Sequence, residues 1–208
     1  MILDELTWFQ HSSFLWNHKG KKIYFDPWGL PERPEIADII LITHDHYDHL
    51  SEGDIRKIDS PKTVIVAPVD CRGKLDGNIV FLRPGENTTI NGVKIAAIPA
   101  YTVKTSHHLK EKGWIGYLVE VDGEKVYHAG DTDFIPEMSS IKTDVALLPV
   151  GGTSTMNWEE AAQAAKAIGP RVVAVPMHFG AVVGSLWDAK KFAEKAQVPV
   201  EIMTPVFG

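Results

Sequence analysis

The run Thr-His-Asp-His-Tyr-Asp-His at residues 43–49 places three imidazoles and two carboxylates side by side. It follows directly on residues 39–42, a continuous apolar run typical of a strand buried on both faces. We therefore expect the chain to leave a sheet here and to present these polar side chains at a strand end. Neutral imidazole binds zinc and iron well, and carboxylate suits harder divalent ions, so the run indicates a metal centre.

The spacing within this run predicts how the ligands divide. His44 and His46 are two positions apart, so in an extended or turn conformation both rings point the same way and can chelate one metal. Asp48 and His49 lie past the bend and can reach a second metal. The alternative, a polar loop with solvated histidines, is disfavoured because four candidate ligands follow one apolar run.

Two further predicted strand ends carry the same chemistry. Residues 125–133 place Asp131 just after a hairpin strand, with Gly130 allowing a tight turn, and residues 173–180 place His178 just after another strand. An Asx turn is the alternative for Asp131, and a simple loop position is the alternative for His178. In layered folds, however, strand ends on one rim commonly converge on one site.

The composition limits the classes of function. The chain has 208 residues, nine histidines, one cysteine and a formal net charge of -6. A single cysteine excludes an intramolecular disulfide and a cysteine-rich zinc finger. An acidic chain has no general attraction for nucleic acid, so a small molecule is the expected partner. No stretch reaches the ~18 apolar residues of a membrane span. Asp4 and Glu5 stand where a signal peptide needs positive charge, which predicts a cytoplasmic protein.

The remaining pattern predicts strands first and helices later. Asn91-Gly92 and Asp122-Gly123 each suit a type I′ hairpin turn, because both central positions of that turn need positive φ. Besides the run before the histidines, strands are predicted over residues 7–16, 22–25, 63–66, 79–82, 88–90, 93–98, 115–121, 125–127, 145–148, 172–175 and 200–203.

Helices are predicted over residues 157–168, where Asn157 offers a cap with Glu160 three residues on, and over residues 188–196. Ser51 offers a further helix N-cap. Antiparallel hairpins with helices added toward the end imply an α+β layered fold. No linker or repeat divides the chain, so we expect a single domain over residues 1–208.

The order of these motifs resembles the metallo-β-lactamase superfamily: His44-x-His46-x-Asp48-His49, then Gly130-Asp131-Thr132, then His178. The nearest subgroup by resemblance holds ascorbate-6-phosphate lactonases, N-acylphosphatidylethanolamine phospholipase D and many metal-dependent hydrolases. Residues 11–14, 127–132 and 146–152 are similar to that subgroup.

This resemblance implies a four-layer αββα sandwich with a two-metal site at the shared edge of its sheets. The implied ligands are His44 and His46 for the first metal, Asp48, His49 and His178 for the second metal, and Asp131 as a bridge between them. The resemblance also implies that Asp26, in Phe25-Asp26-Pro27, hydrogen-bonds a ligand imidazole and fixes its tautomer. An ordinary turn aspartate before proline is the alternative for Asp26.

One departure from the family concerns the first metal. The family usually supplies another histidine two or three residues after the strand that precedes Trp114, and residues 98–102 have none. His108, reached by a longer loop, is predicted to replace it. The alternatives are that His107 is the ligand or that neither is, in which case a single-metal protein follows.

Three histidines have less defined predicted roles. His11 follows a strand and is predicted to face the site as a substrate or proton-transfer group, with a structural hydrogen-bonding role as the alternative. His128 stands three residues before Asp131 and could line the pocket. His18 is assigned to a solvated turn.

The predicted activity is metal-dependent hydrolysis. Two divalent ions, zinc or else manganese, iron or nickel, would share a water and lower its pKa toward neutrality. The bridging hydroxide would attack a small ester, lactone or phosphoester, with Asp48 or His178 shuttling the proton. The alternatives are a mononuclear iron oxidoreductase resembling persulfide dioxygenases and a non-catalytic metal-binding protein.

Overall fold

Two six-stranded sheets lie face to face at the centre of the protein in a computed structural model that describes residues 2–206. The first sheet contains, in spatial order, β1 (Leu6–Gln10), β2 (Ser13–His18), β3 (Lys21–Phe25), β4 (Ile39–Leu41), β5 (Val64–Pro68) and β6 (Ile79–Leu82). The second contains, from edge to edge, β7 (Asn87–Ile90), β8 (Val93–Pro99), β9 (Ile115–Val121), β10 (Glu124–His128), β11 (Val145–Pro149) and β12 (Val173–Met177).

Both sheets are mixed in the same way. In the first sheet, β1 to β3 pair antiparallel, and β3 to β6 pair parallel. In the second sheet, β7 to β10 are antiparallel, and β10 to β12 are parallel. Parallel strands deliver their carboxyl ends to one edge, and this repeated arrangement brings polar strand ends of both sheets to the same rim of the molecule.

Helices cover the outer faces of the two sheets. Ile55 and Ile58 of α1 (Glu52–Ile58) pack with Tyr24 and Ile40 on the first sheet. The helices α2 (Trp158–Ile168) and α3 (Leu186–Lys195) pack on β11 and β12 of the second sheet. The layer order is helix, sheet, sheet, helix, so the predicted α+β, four-layer αββα sandwich is confirmed.

The main core lies between the two sheets, and it holds them in a fixed relation. Phe14 and Phe25 of the first sheet pack there with Tyr117 and Leu147 of the second sheet, and all four are fully buried. The Tyr117 hydroxyl lies 2.7 Å from the carbonyl oxygen of Ile42, directly before the histidine-rich run. A buried hydroxyl needs such a partner, and here the partner is on the opposite sheet.

Several local predictions are confirmed by the turn and cap geometry. Both residues of the Asn91-Gly92 and Asp122-Gly123 turns have positive φ, between 50° and 86°. The Ser51 side chain accepts the backbone N–H of Asp54, and Asn157 forms a capping box with Glu160. These residues form the predicted structures because each supplies a local hydrogen bond or a permitted left-handed conformation.

Three predicted elements are corrected by the structure. Residues 7–16 form two strands rather than one, because the chain reverses at His11, whose φ is 51°, while apolar residues continue through both strands. The second predicted helix begins earlier, at Leu186, after its cap Ser185. The predicted strand 200–203 is only a single bridge between Val200 and Ala174.

Candidate metal centre

Side chains from five strand ends and loops converge on one rim. Residues 43–49 follow β4, and the turn between β1 and β2 supplies His11. Asp131 follows β10, His178 follows β12, and the loop between β8 and β9 supplies His108. The structure therefore brings together residues that are far apart in sequence, as the strand-end argument predicted.

The first cluster consists of His44, His46, His108 and Asp131, whose ligating atoms all lie within 4.8 Å of one another. His108 Nε2 is 3.2 Å from Asp131 Oδ2, and His44 Nε2 is 3.8 Å from the same oxygen. The Trp114 ring packs against all three imidazoles, with centroids 4.9 Å from His44 and His46 and 5.4 Å from His108.

His108 rather than His107 belongs to this cluster. The loop folds back on itself, because the Thr102 N–H donates to the His108 carbonyl at 2.8 Å. The His108 residue is only 2 % exposed, whereas His107 is exposed and lines the cleft. A longer loop thus carries a histidine to the place where residues 98–102 have none.

The second cluster consists of His11, Asp48, His49 and His178, with ligating atoms again within 4.8 Å of one another. His11 Nε2 is 3.1 Å from Asp48 Oδ2, and the His11 and His178 rings lie 3.9 Å apart at their centroids. All four residues are buried. His11 is therefore a full member of this cluster, although the sequence indicated only a general position facing the site.

Asp131 lies between the two clusters. Its Oδ2 is 3.0 Å from His178 Nε2 and 3.2 Å from His108 Nε2, and its Oδ1 is 3.4 Å from His49 Nε2. One carboxylate thus contacts histidines of both clusters, which is the position that a bridging ligand requires.

Asp26 and Thr43 orient the imidazoles from behind. Asp26 accepts the N–H of Thr43 at 2.8 Å and its hydroxyl at 2.7 Å, and His49 Nδ1 donates to Asp26 at 2.7 Å. Because the Thr43 hydroxyl donates to Asp26, it accepts from His44 Nδ1, 2.9 Å away. His44 therefore presents an unprotonated Nε2 to the first cluster, as metal ligation requires, and Asp26 orients the His49 ring so that its Nε2 lies 3.4 Å from Asp131 Oδ1.

The backbone around the centre is held in an uncommon conformation. His11, Asp26 and His178 have φ of 51°, 42° and 59°, in the left-handed region that non-glycine residues seldom adopt. The His11 carbonyl accepts the indole N–H of Trp8 at 3.1 Å and the backbone N–H of His178 at 2.8 Å. Such strained backbone persists where surrounding contacts hold it, and it clusters at functional sites.

The electrostatics of the centre are dominated by burial and by the carboxylates. Burial lowers the pKa of His11 to about 4 and holds that of His44 well below its usual range, so both rings are neutral near pH 7. Burial alone would raise the pKa of Asp48, but the close contact with His11 and the charge of His49 lower it to about 2. Burial likewise opposes the ionisation of Asp131, yet His178 and His49 hold its pKa well below the ordinary value.

The donor set fits divalent metal ions. Buried polar atoms without a hydrogen-bond partner are rare and costly, and the centre gathers many of them in one place. They are both ring nitrogens of His11, His108 and His178, Nε2 of His44 and His49, and Oδ1 of Asp131. Nitrogen and oxygen atoms left unpaired and converging in this way are the expected ligands of zinc, manganese or iron.

An open cleft of about 540 Å³ lies over the centre. Asp48, Asp131 and His178 line this cleft, and Tyr47, Thr153 and Val182 are among its other lining residues. The Tyr47 side chain is exposed beside the cleft. A small molecule thus has a route to the clustered ligands from one side.

Two histidines lie away from this centre. His128 is buried, with Nε2 2.9 Å from the Ser12 carbonyl and Nδ1 accepting the Gly130 N–H, and its ring stacks on Phe25. It therefore braces the β10 end, and the expectation that it lines the pocket is wrong. His18 is 2 % exposed, so its assignment to a solvated turn is also wrong.

Comparison with known proteins agrees with this geometry. Residues 5–178 match the Beta-lactamase superfamily domain. A UPF0173 metal-dependent hydrolase of Thermococcus onnurineus is 36 % identical over 201 residues, which cover 86 % of this chain and 88 % of the relative. One from Methanoculleus marisnigri is 37 % identical over 221 residues, covering 96 % and 93 %. The structure of Igni18, a metallo hydrolase from Ignicoccus hospitalis, superposes with a TM-score of 0.79 at 28 % identity, covering 96 % and 94 %.

The fold and the site thus define a member of the metallo-β-lactamase superfamily. Within it, the chain belongs to the UPF0173 metal-dependent hydrolase family. The prediction of a metal-dependent hydrolase is confirmed at this level. In the described part of the chain, residues 2–206, no helix has the length and apolar character needed to cross a membrane.

Proposed function

We propose that residues 1–208 form a single metallo-hydrolase domain that holds two divalent metal ions and cleaves a small ester, lactone or phosphoester. His44, His46 and His108 hold the first ion. Asp48, His49 and His178 hold the second, and Asp131 bridges the two. The observation that carries the proposal is the pair of buried clusters sharing Asp131, with their ligating atoms left without hydrogen-bond partners.

Zinc is the expected ion, and manganese, iron and nickel suit the same donors. A pair of such ions supplies an activated water at neutral pH and positive charge for the substrate oxygen. The proteins with UPF0173 names are described as metal-dependent hydrolases, which supports this chemistry for the present chain. The resemblance to ascorbate-6-phosphate lactonases and N-acylphosphatidylethanolamine phospholipase D favours an ester-type bond.

Asp48 and His178 are the proposed proton-transfer groups, because both line the cleft. His11 Nε2 lies 3.1 Å from Asp48 Oδ2, and the neighbouring imidazoles keep the Asp48 carboxylate ionised, so it can accept a proton during the reaction. His178 faces the same side and can return a proton to the leaving group. His11 positions Asp48 and stays out of the exchange itself.

The cleft walls supply positioning and partial exclusion of water. Tyr47 and Val182 offer apolar surface for the body of a small substrate, and Thr153 and Ser154 in the same lining offer hydroxyl groups for hydrogen bonds. The Asp45 carboxylate at the rim is paired with Lys74, so its charge is compensated.

The cytoplasmic location and the absence of a nucleic-acid partner stay predictions.

The mononuclear iron oxidoreductase is less well supported. That alternative depended on a first site short of a histidine, and His108 lies within the cluster that needed one. The hydrolase relatives also disfavour a non-catalytic metal-binding protein. We therefore retain the dinuclear hydrolase as the proposed function.

The test combines metal removal with a substrate panel. The chelator-treated protein should lose hydrolysis of model esters, lactones and phosphoesters, and added zinc should restore it. His46→Ala should stay inactive in zinc, whereas His107→Ala, which alters an exposed histidine at the cleft mouth, should respond like the parent. Hydrolysis by the His46→Ala variant at the parent rate would sink the proposal.

A further inference from the structure

A third cluster of candidate ligands lies outside the catalytic centre. It consists of Glu5, His18 and Glu124, whose ligating atoms lie within 4.8 Å of one another. His18 Nδ1 is 2.6 Å from Glu5 Oε2, and the His18 side chain is almost fully buried. The three residues come from the segment before β1, the end of β2 and the start of β10, so the cluster joins both sheets.

This cluster lies at the other end of the strands from the cleft. β2 begins beside the His11 turn and ends at His18, and β10 begins at Glu124 and ends three residues before Asp131. Strands of five or six residues span roughly 15 Å at about 3.3 Å per residue. The cluster is therefore separate from the proposed catalytic metals.

Two of its buried polar atoms lack partners. Neither His18 Nε2 nor Glu124 Oε2 has a hydrogen bond, although both atoms are shielded from solvent. Within residues 2–206, the ion pairs of lysine and arginine do not include Glu5 or Glu124. Among the described residues, two partly buried carboxylates and a buried imidazole thus face one another with no lysine or arginine beside them, and the unpaired buried atoms of this arrangement are costly.

The flanking structure holds this arrangement in place. The His18 ring stacks on Trp16 at 5.1 Å with 16° between the planes. Lys19 pairs with Asp122 at 3.3 Å, which ties the turn after β2 to the turn before β10. His18 and Glu124 are therefore placed at strand ends, and Glu5 lies in the helical turn directly before β1.

We propose that Glu5, His18 and Glu124 bind a divalent cation, with zinc as the best match. Histidine nitrogen and glutamate oxygen are both zinc ligands in proteins. The bound ion compensates the charge of the two glutamates and links the two sheets at the end remote from catalysis. None of the three ligands lines the catalytic cleft. The role of this ion is therefore structural.

The experiment counts zinc in the full-length protein. The parent, Glu124→Gln and the matched control Asp122→Asn, which removes a carboxylate from the same hairpin, are stripped with a chelator, reloaded with zinc, desalted and analysed for metal per chain. We expect the parent and Asp122→Asn to hold one more zinc than Glu124→Gln. Hydrolytic activity should be the same in all three, because Glu124 is remote from the cleft.

A second variant guards against an effect peculiar to one substitution. Glu5→Gln removes a different ligand and should lose the same one zinc. Zinc should also raise the Tm of Asp122→Asn further than that of Glu124→Gln, since binding to the native state stabilises it. Equal zinc content in all four chains would overturn the proposal. Because only the difference between chains is scored, the outcome does not depend on how many metals the catalytic centre holds.

Discussion

The two clusters that meet at Asp131 are held in place by different means. In the first cluster, Trp114 packs against the imidazoles of His44, His46 and His108, and the last of these comes from a long loop. Trp114 is itself anchored by its indole N–H, which donates to Asp70 at 3.0 Å. Packing therefore contacts all three imidazoles of the first cluster, and only His44 among them is also oriented by a hydrogen bond, from its Nδ1 to the Thr43 hydroxyl.

The second cluster is set by hydrogen bonds and backbone geometry. His49 Nδ1 donates to Asp26, and the backbone N–H of His178 donates to the His11 carbonyl, which places His11 Nε2 beside Asp48 Oδ2. Left-handed residues at His11, Asp26 and His178 are fixed by these same contacts. The comparison teaches that similar ligand sets can be oriented mainly by side-chain packing or mainly by hydrogen bonds. Hydrogen bonds restrict the orientation of a ligand ring more narrowly than packing does.

The largest expected effect comes from the residue that the two clusters share. Asp131→Asn removes the bridging charge, so both metals should be lost. Loss of a residue that merely hydrogen-bonds a metal ligand lowers metal affinity or activity by about 10–100-fold. For the bridging ligand itself we expect the rate of hydrolysis to fall by more than about 100-fold. Metal analysis together with rate measurement checks this. Retention of two metals per chain by Asp131→Asn would show that the clusters do not depend on a common carboxylate.

The next effect separates the two clusters. His108→Gln should remove one metal per chain and leave the second cluster loaded, because the loop histidine contacts only the first cluster and Asp131. His107→Gln is the matched control and should keep both metals. If the two variants have equal metal content, the proposed role of His108 is wrong.

A smaller effect tests the hydrogen-bonded cluster alone. In the His108→Gln chain, adding Asp26→Asn should weaken the remaining metal by about 10–100-fold, because His49 loses its charge-assisted partner. Competition with a chelator of known affinity measures this. An unchanged affinity would mean that left-handed backbone and packing suffice to orient His49.

The smallest expected effect on metal binding comes from substitution of the single cysteine, Cys71. Burial raises the pKa of the Cys71 thiol to about 12, so it is not a thiolate ligand at neutral pH. Cys71→Ala should therefore keep its metals and its activity and lose at most about 2 kcal/mol of stability, a usual range for a single substitution. Metal loss in this variant would contradict a centre built from nitrogen and oxygen.

Much of the centre was predictable because the ligands stand at strand ends. The apolar run before His44 and the hairpin before Asp131 each indicate a sheet edge, and the spacing of residues 44–49 indicates chelation. The layered fold follows from the same strand and helix patterns. These predictions depend only on short stretches of sequence, in which a strand, its end and the polar residue after it can be recognised.

The misjudged histidines depend on contacts between distant segments. His11 lies in a turn that contains no glycine, and its left-handed backbone is fixed by Trp8 and His178 rather than by neighbouring residues. His18 follows a polar-looking turn pattern but is buried by Trp16 and Glu5. Tertiary contacts of this kind leave no periodic signal in the chain.

The central claim is that two metals lie on either side of Asp131. Crystals of the zinc-loaded protein, with diffraction recorded above and below the zinc absorption edge, locate the ions directly. We predict two anomalous peaks at the centre, one among His44, His46 and His108 and one among Asp48, His49 and His178. A single peak there, or none, would contradict the account.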